Sequence, residues 1–539
     1  MEKFNKIVIG SGSAGSVIAS RLSEKDNCEV LLIEAGPDYP EFDSTPIEIK
    51  NAYGIDPNIW ARTFGENSKF SWNYTATATN KIDDMLIPRG RVIGGSSSVN
   101  AQIFLRGLPE DFDDWGKMGN NNWNASKTMP FFEKVENDLD FKGDFHNSKG
   151  PIVVKRFQKS EWEEVQQAFY DAARSIGQAD SPDANDPNSS GVGPMPMNNP
   201  DGIRWSTNFG YLSKARHRMN LTIKANCLVR KIIFDGKKAI GVQIESPAPL
   251  TYKKSSHKFP SKIKPKIYEI FGDEIILSAG AIESPHILML SGIGASEKLE
   301  PHGIEVIKEL NGVGENLRDH PQIQVSWNVK EGLIQNELSP RIQVGIRYTA
   351  SGSKFRNDMF IHPVGHAPEG GIYLESGKNN GFGITCALYL AKGSGSIKLN
   401  SVNPHDQPNL NYNFMTEEFD RKRMREGTRM AVKMGDNTYL KDRVLEDLIN
   451  PERNILENDD LLDDWILQTS RTSHHVSSTC KMGPLSDEMS VVDQVGKIHG
   501  LENIRIADAS IMPDCIRANT NATTIVIGER IAEAIINDQ

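Results

Sequence analysis

The chain has 539 residues, of which 38% are hydrophobic and 24% are charged, a composition typical of a globular protein. Its formal net charge of −10 at pH 7 argues against a nucleic-acid partner, because a phosphate backbone requires concentrated positive charge. The length predicts more than one structural unit, since a single hydrophobic core rarely grows beyond about 250–300 residues.

The five cysteines are scattered along the chain and show no Cys-x-x-Cys spacing. This pattern indicates reduced thiols and a cytoplasmic protein. Residues 1–5 lead straight into an apolar run, without a basic segment or a cleavage site, so no export signal is predicted. No window approaches about 18 consecutive apolar residues, and we therefore expect no transmembrane segment.

A glycine-rich turn joins the first predicted strand to the first predicted helix. Residues 6–9 form a short apolar run and residues 16–22 have helical spacing, with Gly10, Gly12 and Gly15 between them. The first glycine permits a tight turn, the second lets a pyrophosphate approach the backbone, and the third allows close packing of helix on strand. The pattern is typical of dinucleotide binding, with the phosphates at the helix N-terminus.

A second apolar run, residues 28–33, ends in Glu34, about two dozen residues beyond the first glycine. A carboxylate in this place can accept hydrogen bonds from the two hydroxyls of a ribose. The alternative is a glycine turn and a surface glutamate without a ligand. The motif does not distinguish NAD from FAD.

Glycine and serine are concentrated again in residues 87–100, and apolar residues flank the run on both sides. A backbone with little side-chain bulk and many N–H and hydroxyl donors suits a pyrophosphate and a planar ring system. The alternative, a flexible linker, is disfavoured because Gly/Ser linkers rarely lie within an apolar frame.

Two regions interrupt the strand-turn-helix pattern, residues 157–199 and residues 322–468. In the second region, residues 324–327 and 382–389 alternate in polarity and predict strands, whereas residues 417–434 predict a helix. We expect these regions to form a cap that supplies most substrate contacts.

The C-terminal part of the chain contains the candidate catalytic side chains. Residues 474–483 begin with two histidines, and residues 508–513 and 519–521 follow with an aspartate and two asparagines. An imidazole, with a reference pKa of about 6.5, can remove a hydroxyl proton near neutral pH. No metal site is expected from the spacing of possible ligands, and a Ser/His/Asp hydrolase is disfavoured because no nucleophile elbow is present.

Residues 89–107 resemble the first signature of the glucose–methanol–choline (GMC) oxidoreductase family, and residues 280–294 resemble the second. Residues 312–320 resemble a further family segment, and the similarity runs from residue 7 to residue 531 in the family's order. The resemblance implies FAD as the cofactor. It also implies an α/β fold, with a Rossmann-like FAD-binding domain and a second, substrate-binding domain that contains a mostly antiparallel sheet.

The implied FAD-binding domain is assembled from residues 1–156, 200–321 and 469–539, the last of which carries the catalytic residues. Residues 157–199 and 322–468 would form the substrate-binding domain.

The resemblance implies which residues bind the cofactor. By position these are Gly10, Gly12, Ser13, Ala14, Gly15, Glu34, Ala35, Arg91, Val92, Gly94, Gly95, Ser96, Asn100, Ala101, Val229, Asp508, Ala509, Asn519 and Thr520. Some family members attach the flavin covalently through a histidine just before the asparagine that matches Asn100. This chain has Val99 there, so we predict a non-covalent FAD.

In the family, the catalytic histidine stands four residues before the threonine of a Thr-Cys-Arg/Lys-Met-Gly segment. Counting back from Thr479 gives His475 as the base or as an acid that stabilises the alkoxide, and Asn519 matches the second catalytic position. We place His474 and Val99 in the wall of the substrate pocket. Neighbouring residues of an extended segment point to opposite sides, which separates the roles of the two histidines.

The resemblance implies oxidation of a primary alcohol to the aldehyde, with hydride transfer to flavin N5. Aryl, furanic or pyridinyl alcohols are favoured, because His474 adds a second ring beside the base. Oxygen or a quinone-like compound would accept the electrons, and the protein would be a monomer or a homodimer. The alternatives are a choline-type alcohol dehydrogenase, a redox-silent hydroxynitrile lyase of the same family, and a ligand-binding flavoprotein without turnover.

Overall fold

The computed structural model describes residues 3–54, 59–66, 68–247, 264–333, 335–336, 338–367 and 381–538. The strands are β1 Lys3–Ile9, β2 Val30–Ile33, β3 Tyr74–Ala76, β4 Met85–Ile87, β5 Glu136–Asp138, β6 Ile152–Val154, β7 Gly191–Pro194, β8 Leu221–Lys224, β9 Leu228–Asp235, β10 Lys238–Ser246, β11 Lys266–Leu277, β12 Ile293–Gly294, β13 Lys308–Glu309, β14 Pro321–Val329, β15 Val344–Tyr348, β16 Met359–Ala367, β17 Gly381–Leu388, β18 Ser396–Lys398, β19 Asn409–Asn411, β20 Leu445–Asn450, β21 Arg471–Thr472 and β22 Ile504–Ile506. The helices are α1 Gly15–Leu22, α2 Ile47–Lys50, α3 Ile59–Phe64, α4 Pro109–Lys117, α5 Ala125–Val135, α6 Glu164–Ser175, α7 Ser213–Ala215, α8 Gly280–Leu290, α9 Ser296–Leu299, α10 Glu418–Gly435, α11 Thr438–Lys441, α12 Asp459–Thr469 and α13 Thr520–Asn537.

A seven-stranded sheet has the strand order β8-β2-β1-β11-β10-β9, with β22 paired to β11. Strands β8, β2, β1, β11 and β22 run parallel, with Ile7 opposite both Leu31 and Ile275. These apolar residues are fully buried, as expected for parallel strands covered on both faces. The predicted Rossmann-like half of the α/β fold is confirmed, and its strands come from both ends of the chain.

A second seven-stranded sheet has the order β20-β14-β17-β16-β15-β7, with β21 paired to β14. Its strand pairs are antiparallel, as predicted for the substrate-binding half. Val325 of β14 lies opposite Ile384 of β17, and both are buried. The alternating polarity in the sequence therefore does mark strands of this sheet.

The last helix, α13, packs on the first helix, α1. A Cβ atom on Gly528 would lie 2.9 Å from the carbonyl oxygen of Ala14, so the glycine allows the two backbones to approach closely. Arg21 of α1 forms an ion pair of 2.8 Å with Glu529 of α13, which also accepts a hydrogen bond from the hydroxyl of Tyr211. This contact brings the two ends of the chain together beneath the first sheet. Within the described residues, no helix is both long and apolar enough to span a membrane.

Candidate active site

A large cavity lies between the two sheets. On one side it is lined by Ile9, Ile33 and Ser278, at the carboxyl ends of the parallel strands β1, β2 and β11. On the other side it is lined by Gln322 of β14 and Phe360 of β16. The carboxyl edge of a parallel sheet is where open α/β folds bind ligands. The cavity volume of about 300 Å³ lies at the lower end of the ~300–1,000 Å³ of most small-ligand sites.

The predicted glycine turn forms one end of this cavity. Gly10 has a φ of +91°, and a Cβ atom there would lie 2.5 Å from the carbonyl oxygen of Ser278. A Cβ atom on Gly15 would lie 1.9 Å from the carbonyl oxygen of Gly10, so the start of α1 packs against the turn. Gly12 lines the cavity, and a Cβ atom there would meet nothing within 4 Å. The N-terminus of α1 is therefore open to an anionic ligand.

The second glycine segment touches the first. Gly94 and Gly95 have φ angles of +83° and +52°, and a Cβ atom on Gly95 would lie 2.7 Å from the Cα atom of Gly12. The N–H of Gly94 donates to the hydroxyl of Ser11 at 3.3 Å. The two segments, more than eighty residues apart in sequence, form one continuous wall with exposed backbone.

Glu34 lines the same end of the cavity and is buried. One carboxylate oxygen accepts hydrogen bonds from the N–H and the hydroxyl of Ser11, at 3.0 and 2.6 Å, and the other accepts from the N–H of Gly36 at 2.8 Å. Burial raises the pKa of Glu34, against the effect of these hydrogen bonds. Each carboxylate oxygen has further lone pairs with which it could accept a ribose hydroxyl.

Most of the predicted cofactor residues line this one cavity. They are Gly10, Gly12, Ser13, Ala14, Glu34, Ala35, Gly95, Ser96, Asn100, Ala101, Val229, Asp508, Ala509, Asn519 and Thr520. Gly15, Arg91, Val92 and Gly94 are not among its lining residues. The guanidinium of Arg91 lies 4.7 Å from the ring centroid of Trp72 and donates a hydrogen bond to the carbonyl of Ala35 at 3.4 Å, and both of these residues line the cavity.

At the other end of the cavity, His475 lies between two polar side chains. Its Nε2 is 3.0 Å from Nδ2 of Asn519, and its Nδ1 is 2.9 Å from Nδ1 of His320. His475 and Asn519 both line the cavity, and Oδ1 of Asn519 is buried without a hydrogen-bond partner among the described residues. The two predicted catalytic residues thus meet, and one amide oxygen remains available to a ligand.

These imidazoles are held neutral. Burial lowers the pKa of His475 well below its ordinary value, and His320, His474 and Arg89 lower it further. Burial also lowers the pKa of His320 to about 3 and that of His474 to about 3. At neutral pH His475 therefore has one nitrogen with a lone pair that can accept a proton.

The buried carboxylate of Asp319 accepts hydrogen bonds from the backbone of both His320 and His475. Its Oδ1 accepts the backbone N–H of His320 at 2.6 Å and that of His475 at 3.0 Å, and its Oδ2 accepts the hydroxyl of Thr472 at 2.5 Å. Burial raises the pKa of Asp319 to about 6. One side chain therefore fixes the backbone on both sides of the His320–His475 contact.

The backbone at His474 differs from the extended segment expected from the sequence. His474 has a φ of +66°, in the left-handed region, and its N–H donates to the hydroxyl of Thr472 at 2.7 Å. Neighbouring side chains point to opposite sides only where the backbone is extended. That rule therefore does not apply at this turn. His474 and His475 both line the cavity.

The wall that faces His475 from the second sheet is aromatic and uncharged. The rings of Phe360 and Tyr389 stack at a centroid distance of 5.7 Å, and the ring of His362 lies 5.3 Å from that of Phe360. Burial lowers the pKa of His362 to about 4, which keeps it neutral. Gln322 contributes a neutral amide to this wall. Among the described residues, no carboxylate lines this side of the cavity.

Several residues that line the cavity were not predicted from the sequence. Gln322, Phe360, His362 and Tyr389 stand on strands, or directly after one, and nothing in their local sequence indicates which face points to the cavity. His320 had a signal, because it ends a segment that resembles the family, yet the resemblance did not assign it a role. Its contact with His475 depends on the pairing of β14 with β21.

The arrangement fits FAD. The phosphate-sized end has exposed glycine backbone at the start of α1, and the middle contains the start of α13, where Thr520, Asn521 and Thr524 line the cavity. Two helix N-termini favour negative charge at a pyrophosphate and at the edge of a planar ring. The carboxylate of Glu34 lines the cavity and could accept hydrogen bonds from a ribose, and Val99, which also lines it, offers no nucleophile for a covalent bond.

A second polar cluster lies outside the cavity. Ligand atoms of Glu136, Asp138 and His146 lie within 4.8 Å of one another, a spacing that could hold a metal ion. His146 Nδ1 is 3.0 Å from Glu136 and 3.1 Å from Asp138, and its Nε2 is 2.8 Å from Asp183. These hydrogen bonds outweigh burial and raise the pKa of His146 to about 11.

Two arginines complete this group, which we call the His146 cluster. Arg156 forms ion pairs with Asp138 at 2.8 Å and Asp183 at 2.7 Å, and Arg106 forms an ion pair with Glu136. Three cations thus face three carboxylates, and each carboxylate contacts two of the cations, although Oε2 of Glu136 has no hydrogen-bond partner among the described residues. We interpret the cluster as a buried ion-pair network.

Residues 4–322 and residues 391–528 match the N-terminal and C-terminal parts of a family described as GMC oxidoreductase. An oxygen-dependent choline dehydrogenase of Escherichia coli is 33% identical, with 99% of this chain and 95% of that protein covered. The protein of the same name from Photobacterium profundum is 30% identical, with 99% of this chain and 93% of that protein covered. The crystal structure of pyridoxine 4-oxidase from Mesorbium loti superposes with a TM-score of 0.86, 25% identity and 99% of both chains covered.

Proposed function

The chain belongs to the GMC oxidoreductase family and is an FAD-dependent enzyme that acts on CH–OH donors, and we propose that its reaction is the oxidation of a primary alcohol to the aldehyde. The observation that carries the proposal is the 3.0 Å contact between His475 Nε2 and Asn519 Nδ2 at the cavity wall. An alcohol oxygen beside this pair can donate its proton to the imidazole and accept a hydrogen bond from the amide.

The roles of the two side chains follow from their chemistry. His475 Nε2 accepts the hydroxyl proton, and Asn519 orients the oxygen without exchanging a proton. FAD, when bound, supplies the acceptor for the hydride. The aromatic wall of Phe360 and Tyr389 excludes water from the carbon that loses the hydride.

We propose that the cofactor residues named from the sequence hold FAD without a covalent bond. The glycine turn and the N-terminus of α1 would contact the pyrophosphate, and Glu34 would accept the ribose hydroxyls. Thr520, at the start of α13, would lie near the ring system. Position 99 is a valine and not a histidine, which supports a dissociable flavin.

For the substrate, an aryl, furanic or pyridinyl alcohol has the best support. The wall opposite His475 combines aromatic rings with the neutral side chains of Gln322 and His362. A flat ring can stack there without a charged partner. The likeness to pyridoxine 4-oxidase, whose name includes a pyridine alcohol, adds support to this class.

A choline-type alcohol is the second candidate, because two relatives that are 30% and 33% identical are named oxygen-dependent choline dehydrogenase. Aromatic faces suit a quaternary ammonium group, but such a group is usually also balanced by a carboxylate. Among the described residues, the carboxylates that line the cavity are Glu34, Glu283 and Asp508. Each already accepts hydrogen bonds from protein groups, and none lies on the wall that faces His475.

We further propose oxygen or a quinone-like compound as electron acceptor and a monomer or homodimer as the working form. The five cysteines are buried free thiols, which supports a reducing compartment such as the cytoplasm. We also propose the domain division into 1–156, 200–321 and 469–539 for FAD and 157–199 and 322–468 for substrate. Its support is that β7 and β14 to β20, with β18 and β19 in a separate hairpin, come from the latter two segments.

The test is anaerobic reduction of the bound flavin by a panel of aryl, furanic, pyridinyl, aliphatic and choline-type alcohols, followed by admission of air. Bleaching of the flavin absorbance by ring alcohols supports the first candidate, and bleaching by choline alone supports the second. Fast return of colour in air indicates an oxidase, and slow return a dehydrogenase. Absence of bleaching by every alcohol, with cleavage of a cyanohydrin, would favour a lyase.

The His475→Asn variant tests the proposed role of His475 as the base. We expect it to retain flavin and to bleach about 10²–10⁴-fold more slowly, since a general base contributes roughly that factor. His499, whose Nε2 contacts the carbonyl of Gly483 away from the cavity, supplies the comparison variant His499→Asn, which should bleach at the normal rate. Equal rates for His475→Asn and the unsubstituted protein would refute the proposed base.

A further inference from the structure

We propose that His320 is a positioning residue that holds the ring proton of His475 on Nδ1 and thereby presents the lone pair of Nε2 to the alcohol. The proposal rests on the proposed function and deepens it. Its basis is the 2.9 Å contact between the Nδ1 atoms of His320 and His475. Two nitrogens at this distance form a hydrogen bond only if one has a proton and the other a lone pair.

Two proton arrangements satisfy this contact. In the first, His475 Nδ1–H donates to His320, and His475 Nε2 accepts the N–H of Asn519. In the second, His320 donates, so that His475 must hold its proton on Nε2 and face Asn519 with a donor. Only the first arrangement leaves His475 able to accept a proton from the alcohol. His320 thus decides whether the nitrogen that faces the substrate is a base.

His320 is suited to remain an acceptor. It is fully buried, and burial keeps the ring neutral. Arg318 adds positive charge that disfavours a second proton on His320, and Arg89 does the same at His475. The ring of His320 is packed against Tyr389 at a centroid distance of 4.2 Å, which restricts rotation of the imidazole. A neutral ring whose rotation is restricted keeps its Nδ1 directed at His475.

Asp319 sets the spacing of the pair. Its carboxylate accepts the backbone N–H of both histidines, at 2.6 Å for His320 and 3.0 Å for His475. The imidazoles are therefore anchored to one group, although they lie 155 residues apart in sequence. The other titratable neighbour of His475 is His474, which burial keeps neutral.

The contact also aids the proton transfer itself. As the alcohol O–H bond breaks, its proton moves to His475 Nε2 and the ring becomes an imidazolium, with no change of oxidation state in this step. The Nδ1–H bond to His320 then becomes charge-assisted, and such bonds are roughly twice as strong as neutral ones. This stabilises a cation that burial otherwise disfavours. His320 accepts a hydrogen bond throughout and takes no proton.

The test compares two substitutions of His320 in the holoenzyme. His320→Gln keeps an oxygen that can accept the Nδ1–H of His475, whereas His320→Leu has similar bulk and no acceptor. We expect His320→Leu to lower the rate constant of anaerobic flavin bleaching about 100-fold, with the concentration of alcohol at half-maximal rate changed less than about threefold. The bleaching rate constant of His320→Gln should lie within about tenfold of that of the unsubstituted protein. The rate constant of His499→Leu should equal that of the unsubstituted protein.

The pH profile separates positioning from packing. With the acceptor lost, the proton of His475 can move to Nε2, and because this tautomer change neither takes up nor releases a proton, the bleaching rate of His320→Leu should be lowered by the same factor at each pH. Looser packing that admits water would instead raise the pKa of His475 towards its ordinary value and change the shape of the pH profile. Equal losses in His320→Leu and His320→Gln, or an effect on alcohol affinity alone, would overturn the proposal.

A measurement on the unsubstituted holoenzyme does not depend on any variant of His320. Nitrogen-15 NMR of histidine-labelled protein, assigned with His475→Asn, reports which ring nitrogen has the proton. A protonated Nδ1 and a bare Nε2 in His475 are expected, and the reverse would contradict the proposal. If no alcohol bleaches the flavin, the proposed function fails, while this spectrum still decides the state of the histidine pair.

Discussion

The hydroxyl of Ser13 donates to Oδ1 of Asn521 at 2.7 Å, although the two residues are 508 positions apart in the chain. Ser13 belongs to the first glycine turn, and Asn521 lies in the first turn of α13. Both line the cavity, so this hydrogen bond joins the wall at the phosphate end to the helix that supplies Asn519. The proposed phosphate end of the cavity and the amide proposed for catalysis are thus held in one frame by the two ends of the sequence.

Removal of this bond should weaken FAD binding more than catalysis. For Ser13→Ala we expect the dissociation constant of FAD to rise about fivefold, because a net hydrogen bond contributes about 1 kcal/mol. The measurement is fluorescence titration of apoprotein with FAD. In the double variant with Asn521→Ala, the two effects should not add, since both changes remove the same bond. Fully additive losses would mean that Ser13 and Asn521 act independently.

The flavin should leave the protein on denaturation. Val99 stands where some family members have the histidine that bonds to the flavin, and an isopropyl side chain cannot form that bond. After acid precipitation we expect the yellow colour in the supernatant, with FAD recovered as the intact dinucleotide. Colour retained in the washed pellet would show that another side chain has bonded to the ring.

Asp319 should set the acid limb of activity. Burial raises the pKa of this carboxyl to about 6, whereas burial holds the pKa of His475 well below its ordinary value of 6.5. Below pH 6 Asp319 is protonated and its hydrogen bonds to the backbone of His320 and His475 weaken. The rate of anaerobic bleaching should therefore fall as the pH drops through about 6, and in Asp319→Asn it should be slower but level between pH 5 and 7.

The raised pKa of Asp319 should also make the stability of the fold depend on pH. The native state keeps the Asp319 proton up to about pH 6, while the unfolded chain loses it near the ordinary pKa of 3.8. The contribution of this group to the free energy of unfolding therefore falls as the pH rises from about 4 to 6. Denaturant unfolding should show this decline in the unsubstituted protein and a smaller one in Asp319→Asn. Identical curves would mean that the carboxyl titrates normally.

The sequence was most informative where function depends on adjacent residues. The glycines at 10 and 12 and the carboxylate of Glu34 are confined to one strand-turn-helix unit and the next strand, so their spacing already implies their geometry. His475 could be predicted through the family resemblance of the residues that follow it, and its catalytic role stays a prediction. The left-handed backbone of His474 could not, because it depends on a hydrogen bond to Thr472.

The remainder of the site depends on pairing between distant strands. Gln322 pairs with Ala387 across β14 and β17, and Ala387 pairs with Phe360 across β17 and β16, which brings all three to the same wall. Alternating polarity predicts that such strands exist but not their partners or register. The support of His475 by Asp319 also lies beyond local sequence, since it joins the start of β14 to the residues after β21.

A carboxylate on the neutral wall should change the preference of the enzyme for charged alcohols. Gln322 accepts the hydroxyl of Ser473 at 3.0 Å and donates to the carbonyl of Thr472 at 3.1 Å. In Gln322→Glu, the new charge faces the cavity, where a quaternary ammonium can balance it. We expect the KM for choline to fall about tenfold and the KM for a neutral aryl alcohol to rise, as measured by steady-state oxidation.

Gln322→Met, which is similar in size and uncharged, separates the effect of charge from that of shape. It should leave the preference between the two alcohols unchanged. A parallel change in KM for both alcohols in Gln322→Glu would show that residue 322 affects packing and not substrate charge.

The His146 cluster should stabilise the fold through charge and not through a metal. His146→Gln removes one of three buried cations, and breaking a buried ion pair typically costs about 3–5 kcal/mol. The pKa of His146 is raised from 6.5 to about 11 in the native state, so its contribution is complete below pH 6.5 and is lost as the pH rises toward 11. The difference in unfolding free energy between the unsubstituted protein and His146→Gln should therefore be largest near pH 6 and smaller at pH 10. Chelator should leave both proteins unchanged, whereas a loss of stability that zinc restores in the unsubstituted protein alone would show that the cluster binds a metal.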